Sequence, residues 1–205
     1  MRQNISATRM ELLNQKKKYA LAKRGHKLLK DKEDELMRAI QEIVKKVFAL
    51  RKEVEESLKK GMERYVLAKA GMDPMELEQA FLITKTEFSL SSSLKNVMSV
   101  KIPVYKKEFM GEMISYGFLN ISPEVDLALM DLQKAFEKMI ELAEMEKAIT
   151  LLAEEMSRTR RRVNALEFIL IPDIEEAIKT INMKLSEIER GNISRLMRIK
   201  DIIRK

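Results

Sequence analysis

Side chains able to do chemistry are scarce in this chain, and their spacing limits what they could do. Among 205 residues there is one histidine, His26, and no cysteine. Thiol catalysis, a disulfide framework and structural zinc are thereby excluded. His26 lies in Ala22-Lys23-Arg24-Gly25-His26-Lys27-Leu28-Leu29-Lys30, where an imidazole could act as a pH-sensitive or catalytic group. It also continues a 3-4 spacing through Tyr19, Ala22, His26, Leu29, Glu33 and Leu36. With no second histidine and no catalytic acid cluster near it, the preferred reading is a residue in an inter-helix seam.

Two basic clusters come next. The guanidiniums of Arg158-Thr159-Arg160-Arg161-Arg162 could neutralise phosphates. On a helix, however, they fan around more than half the circumference and make no single basic face. No aromatic residue is interleaved for base stacking. Lys16-Lys17-Lys18, together with the basic C-terminal tail, could attract anionic lipid or RNA, or steer a solvated tip into an acidic partner. No GxxxxGK[ST] or GxGxxG phosphate loop, no metal-ligand spacing and no nucleophile–base pair occurs. No catalytic residue, cofactor or metal is therefore expected.

The elements that must carry these residues are long helices. Leu36, Ile40, Ile43, Val47, Leu50 and Val54 step by 4, 3, 4, 3, 4. Val125, Leu129, Leu132, Phe136, Met139 and Ala143 do the same, and the stripe resumes as Leu152, Met156, Thr159, Val163, Leu166 and Leu170. A repeat averaging 3.5 residues keeps one seam toward a partner helix. The fold expected is mainly α: an antiparallel two-helix coiled coil, folded back on itself as a rod. Residues 1–70 form the N-terminal helix, capped by Ser6 or Thr8 and ended by Gly71, with residues 1–7 frayed. Residues 124–205 form the C-terminal helix, opened by Ser122-Pro123-Glu124. Pro172 cannot donate to the Phe168 carbonyl and should bend that helix. Around it the seam reads Leu170, Ile174, Ile178, Ile181, a stutter that locally unwinds the supercoil.

Residues 71–123 make a small segment at the loop end. Asp73 caps and Pro74 opens a short helix reaching about Leu82. Alternation through Phe88, Leu90, Ser92, Leu94 and through Met98, Val100, Ile102, Val104 predicts a β-hairpin with its turn at residues 92–96. Gly111, Gly117 and Asn120 mark loops. If the two long helices meet level at Ala70 and Glu124, residue 26 lies near residue 168 and residues 32–34 near 160–162. Asp31, Glu33 and Asp34 would then face Arg160, Arg161 and Arg162 as ion pairs fixing the register. Gly25 would allow a close approach of the other helix near Pro172.

Charged residues make up 35% of the chain, aromatics 5%, and only 6 Gly and 4 Pro occur. That balance favours solvated helices over a thick core, and 15 Met suit an adaptable seam. The net charge of +7 is unevenly spread. Residues 1–32 hold ten Lys/Arg against Glu11 and Asp31, and residues 190–205 hold six against Asp201. Residues 124–156 carry nine Asp/Glu against three Lys. A molecule polarised in this way suits a part held differently at its two ends. The N-terminus shows no signal-peptide pattern and no window approaches the roughly 20 apolar residues of a membrane span. A cytoplasmic, soluble chain is expected, with docking at a membrane surface left open.

Three segments resemble the D subunit of the V/A-type rotary ATPases: Thr8-Arg9-Met10-Glu11-Leu12-Leu13, then Gly25-His26-Lys27-Leu28-Leu29-Lys30-Asp31-Lys32 through Asp34-Glu35-Leu36, and Arg158-Thr159-Arg160-Arg161-Arg162-Val163-Asn164-Ala165-Leu166-Glu167 leading into Ile171-Pro172. The similarity in layout spans essentially the whole chain. It implies a non-catalytic central rotor component that couples ATP hydrolysis or synthesis to H⁺ or Na⁺ transport, peripheral to the membrane. The partners implied are the A and B subunits of the catalytic head, a small stalk component called F and a funnel-shaped subunit above the membrane ring. The hairpin segment is associated in that family with stimulating ATP hydrolysis. On this reading Met10, Leu13, Ile181, Leu185, Ile188, Leu196 and Ile199 make seam or bearing contacts inside the head. Two other classes stay open on the residues alone: a basic coiled-coil adaptor at a membrane surface, and a helical nucleic-acid binder.

Overall fold

The 3-4 spacing that runs from Tyr19 to Val54 is carried by one uninterrupted helix, α1 (Arg9–Ala70). In the computed structural model, which describes residues 6–82, 85–117 and 121–204, Thr8 rather than Ser6 caps it: Thr8 Oγ1 accepts from the Glu11 N–H at 3.2 Å. The expected fraying of residues 1–5 and the loop at Asn120 lie outside the described residues. After α1 come α2 (Pro74–Phe81), β1 (Glu87–Val97), β2 (Val100–Met110), α3 (Pro123–Ala165), a π-helical turn over Leu166–Leu170, and α4 (Ile171–Ile203). Asp73 Oδ1 accepts from the Met75 N–H at 3.1 Å, and Pro74 occupies the first turn of α2, where its missing N–H costs nothing. The fold is mainly α, with a long helix at each end and a short helix and hairpin between them.

The chain divides into two compact units, one of Met1–Glu35 with Met156–Lys205 and one of Leu36–Glu155. In the second, α1 and α3 run antiparallel. Lys138 reaches Glu53 at 3.0 Å, Arg64 reaches Asp131 at 2.6 Å and Arg51 lies 3.8 Å from Glu146. The seam of α3 differs from the expected one. Ala128 and Ala135 are buried, whereas Phe136 and Met139 are two-fifths exposed and Ala143 is exposed. The reason is a second partner on the same helix: the Phe136 ring meets Phe88 at 5.1 Å and Phe109 at 6.2 Å, so it covers the hairpin. Toward α1, Leu132 of the expected seam packs closely on the helix.

That closeness shows at Gly61, which continues the heptad from Val54 toward Ala68. A methyl group there would sit 3.0 Å from Leu132 Cγ and Cδ2. At Gly25, by contrast, a methyl group would have nothing within 4 Å, so the close approach expected at Gly25 occurs at Gly61 instead. Gly25 flanks the seam line of Ala22 and Leu29. Gly25→Ala should therefore stabilise by about 1 kcal/mol through helix propensity alone. Gly61→Ala should gain less, because Leu132 must shift, and Gly61→Val should destabilise by about 2 kcal/mol. Thermal melting of the three variants checks that order.

The hairpin is longer than its alternation implied. Its turn is not at residues 92–96 but at Met98 and Ser99, whose φ angles of 52° and 68° put both in the left-handed region, with Val97 paired to Val100. Two positive φ values make a twist-matched two-residue turn; neither residue is glycine, which is why the sequence hid it. The serines of residues 91–93 are strand residues opposite Lys106, Tyr105 and Val104. β2 lies along α3: the Tyr105 N–H donates to Glu144 at 2.9 Å, and Lys107 Nζ to the Glu137 carbonyl at 3.2 Å and to Glu141 at 2.7 Å. Ala68, Leu77 and Val125 form a small core where α1, α2 and α3 meet, closed by Tyr65, Met72, Phe81 and Tyr116.

Candidate functional site

Unit one gathers the chemistry-bearing residues. Its 22 Lys/Arg face 12 Asp/Glu, against 17 and 20 in the other unit, so the positive charge of the chain resides there. Among the described residues, four cross-helix contacts set its register. Arg9 meets Glu189 at 2.7 Å, the Tyr19 hydroxyl donates to Glu175 at 2.7 Å, His26 Nε2 lies 3.4 Å from Glu167, and Arg160 lies 3.8 Å from Glu33. Of the residues expected to pair, Glu33 and Arg160 come together. Arg161 turns back to its own helix, its Nε donating to the Ser157 carbonyl at 3.4 Å. No ion pair reaches Arg162, Asp31 or Asp34 among the described residues. Tyr19 and Glu175 were missed as a pair because a phenol–carboxylate contact leaves no mark in a charge pattern. The carboxylate beside Tyr19 raises the phenol pKa by accepting its hydrogen bond and by its negative charge.

His26 sits in the seam, one-fifth exposed. Its Nε2 is buried and, apart from the Glu167 carboxylate at 3.4 Å, has no hydrogen-bond partner. Glu167 belongs to the π turn. Here the expected stutter takes another form: Leu170 is 44% exposed, and Ile171 is half-buried in its place. The seam therefore steps from Val163 and Leu166 by five to Ile171, then through Ile174, Ile178 and the buried Ile181. The Ile171 N–H donates to the Leu166 carbonyl, five residues back. A π turn accommodates one extra residue. It is found where Pro172 has removed the donor that an α-helix would use.

Past the Arg9–Glu189 contact the character of the surface changes. Every residue from 186 to 204 is exposed, including Ile188, Ile193, Leu196, Met197, Ile199, Ile202 and Ile203. Met10 and Leu13 on α1 are exposed as well. Among the residues expected to bear on a partner, Ile181 is buried within the unit and Leu185 is half-buried; the other five are open. No cluster of three or more potential metal ligands occurs among the described residues. No described helix is long and apolar enough to cross a membrane.

One polar contact in the second unit carries a pH signature. The Tyr116 hydroxyl donates a short hydrogen bond to Asp126, and the ring packs edge-on to Phe81 at 6.2 Å between centroids. Desolvation first, then the hydrogen bond and charge of Asp126, raise the Tyr116 pKa above its ordinary value of 10.0. A raised folded-state pKa means that the fold favours the protonated phenol. Its contribution is complete below the unfolded pKa of about 10 and fades as pH rises beyond it. Melting temperature should thus fall above pH ~10, and Tyr116→Phe should flatten part of that fall while costing about 1 kcal/mol at neutral pH.

An antiparallel helix pair with a phased seam and a long apolar helix end that no described residue covers has the character of an assembly component. A family model for the D subunit of ATP synthase matches residues 11–201. The chain is 47% identical over 203 residues to the V-type ATP synthase D subunit of Acetivibrio thermocellus, covering 97% of this chain and 91% of that one. It is 46% identical over 209 residues to that of Clostridium novyi (100% and 97% covered) and 45% identical over 204 residues to that of Fusobacterium nucleatum (98% and 97%). The chain belongs to the ATP synthase D-subunit family.

Proposed function

We propose that the chain is the non-catalytic central rotor component of a V/A-type ATPase, coupling ATP hydrolysis or synthesis in the A/B head to rotation of the membrane ring and to H⁺ or Na⁺ transport. Its partners are the A and B subunits, the small F component of the stalk and the funnel-shaped subunit above the ring, and its place is cytoplasmic, peripheral to the membrane. Besides family membership, one observation supports this reading: α4 runs on beyond the Arg9–Glu189 contact, and no described residue covers Ile193, Leu196, Met197, Ile199, Ile202 and Ile203. Apolar side chains in such a row call for a partner that surrounds a helix end. Met10, Leu13, Ile188, Leu196 and Ile199 are the bearing residues.

Torque follows from differential affinity. Each nucleotide state of the head binds one orientation of an asymmetric rotor best, and cycling those states turns it. The chain contributes shape and stiffness, while the chemistry of ATP belongs to its partners. Affinity purification of the tagged full-length chain tests the assignment. A, B and F-type subunits should co-purify in a defined stoichiometry; recovery of the chain without them would overturn it.

A further inference from the structure

The π turn offers two ways to close the same seam. Residues 163 and 166 before it, and 174, 178 and 181 after it, lie on the seam side. Between Leu166 and Ile174 there are eight residue steps, and the chain can place either Ile171 or Leu170 in the gap. As an all-α segment, at about 100° per residue, those steps turn about 80° past two full revolutions. With five of them in a π turn of roughly 4.4 residues, they end within about 10° of two revolutions. The two windings therefore differ by about 90° of twist. The first buries Leu170 and spaces the seam by fours, which demands local unwinding of the pair. The second buries Ile171 and is the one observed.

We propose that residues 166–172 are a two-state twist joint, exchanging Ile171 for Leu170 in the seam as the helix pair takes up about a quarter turn of twist. Both side chains are large and aliphatic, so either fills the gap. The Ile171 N–H moves from the Leu166 carbonyl to that of Glu167. Pro172 has no N–H, so no ladder bond has to break at that position. Phe168 and Ile169, 71% and 61% exposed, stay outside in both states and impose no packing cost. On the facing helix a side chain at Gly25 would meet nothing within 4 Å, and the polar contact described from that helix to the turn is His26 Nε2 to Glu167 at 3.4 Å. The joint rests on the rotor assignment, for which it supplies an elastic element between the gripped end of α4 and the rest of the unit.

Because the chain has no cysteine, engineered thiol pairs report the state directly. Ala22 is buried and lies in register between the Tyr19–Glu175 and His26–Glu167 contacts. In the complex assembled with full-length chain, Ala22→Cys with Ile171→Cys should cross-link at rest under mild oxidation. Ala22→Cys with Leu170→Cys should cross-link weakly at rest and several-fold faster during ATP turnover. If the Leu170 pair stays at its resting rate while the complex turns over, the joint is overturned and the rotor assignment stands. If the chain fails to assemble with A and B subunits, the assignment fails and takes the joint with it. Deleting Ile169 restores an unbroken 3-4 seam through Leu166, Leu170 or Ile171, and Ile174. The isolated variant should melt at or above the wild-type temperature, yet ions moved per ATP should drop at least two-fold; wild-type coupling in this variant also overturns the joint.

Discussion

Removing residues 190–205 should leave a protein that melts within about 2 °C of the full chain but moves ions at less than a tenth of the rate per ATP hydrolysed. Stability is spared because every described residue in that stretch is exposed and the Arg9–Glu189 contact is retained. Function is not spared, because the deleted stretch carries six large apolar side chains that no described residue covers. Full burial of one such side chain is worth about 1.5–3 kcal/mol. Burial of even half of the six against a partner is thus enough to hold a helix end against thermal slippage. The stretch also carries six Lys/Arg against Asp201, so its loss removes most of the positive charge at that helix end. Reconstituted vesicles, assayed in parallel for ATP hydrolysis and ion uptake, separate the outcomes. Slippage gives hydrolysis without uptake. Undiminished uptake would show that the bearing lies elsewhere.

What was legible in the sequence, and what was not, divides along physical lines. Caps and openers were legible because their chemistry is local: Asp73 with Pro74 and Thr8 at the start of α1 act within one turn. The antiparallel arrangement was legible from hydrophobic period and helix length. How the α3 stripe divides between α1 and the hairpin was not, because a run of Leu, Phe and Met cannot say which of two partners each residue serves. Leu132 meets Gly61 of α1, and Phe136 faces the hairpin. The hairpin turn at Met98 and Ser99 was hidden by the absence of glycine at its two positive φ angles. The π turn was half legible. Pro172 and the irregular spacing announced a defect in the helix, but spacing alone could not distinguish an unwound α segment from a wide turn that swaps Leu170 for Ile171. Gly25 misled because it sits within a basic, motif-like run, whereas Gly61 is simply the next heptad position after Val54.

The phase of the seam can be tested at two leucines that look alike in the sequence. Leu152 and Leu170 both fall on the expected 3-4 stripe, but Leu152 is 0% exposed and Leu170 is 44% exposed. Leu152→Ala removes side-chain volume from a site closed on all sides, with a transfer loss and a residual cavity, for a cost of about 3 kcal/mol. For a chain of this length that corresponds to a fall in melting temperature of about 6–12 °C. Leu170→Ala removes a side chain already in water, and alanine is the better helix former. Its expected effect is within about 0.5 kcal/mol. The contrast depends only on the π turn's extra residue. If the helix ran as α through Pro172, Leu170 would be a seam residue and its truncation would cost nearly as much as that of Leu152. Ile171→Ala supplies the complementary reading: half-buried where Leu170 is open, it should cost about 1–2 kcal/mol. A ranking of Leu152 above Ile171 above Leu170 in denaturant unfolding would fix the winding of the resting state. An equal loss at residues 170 and 171 would mean that both windings are populated without any torque.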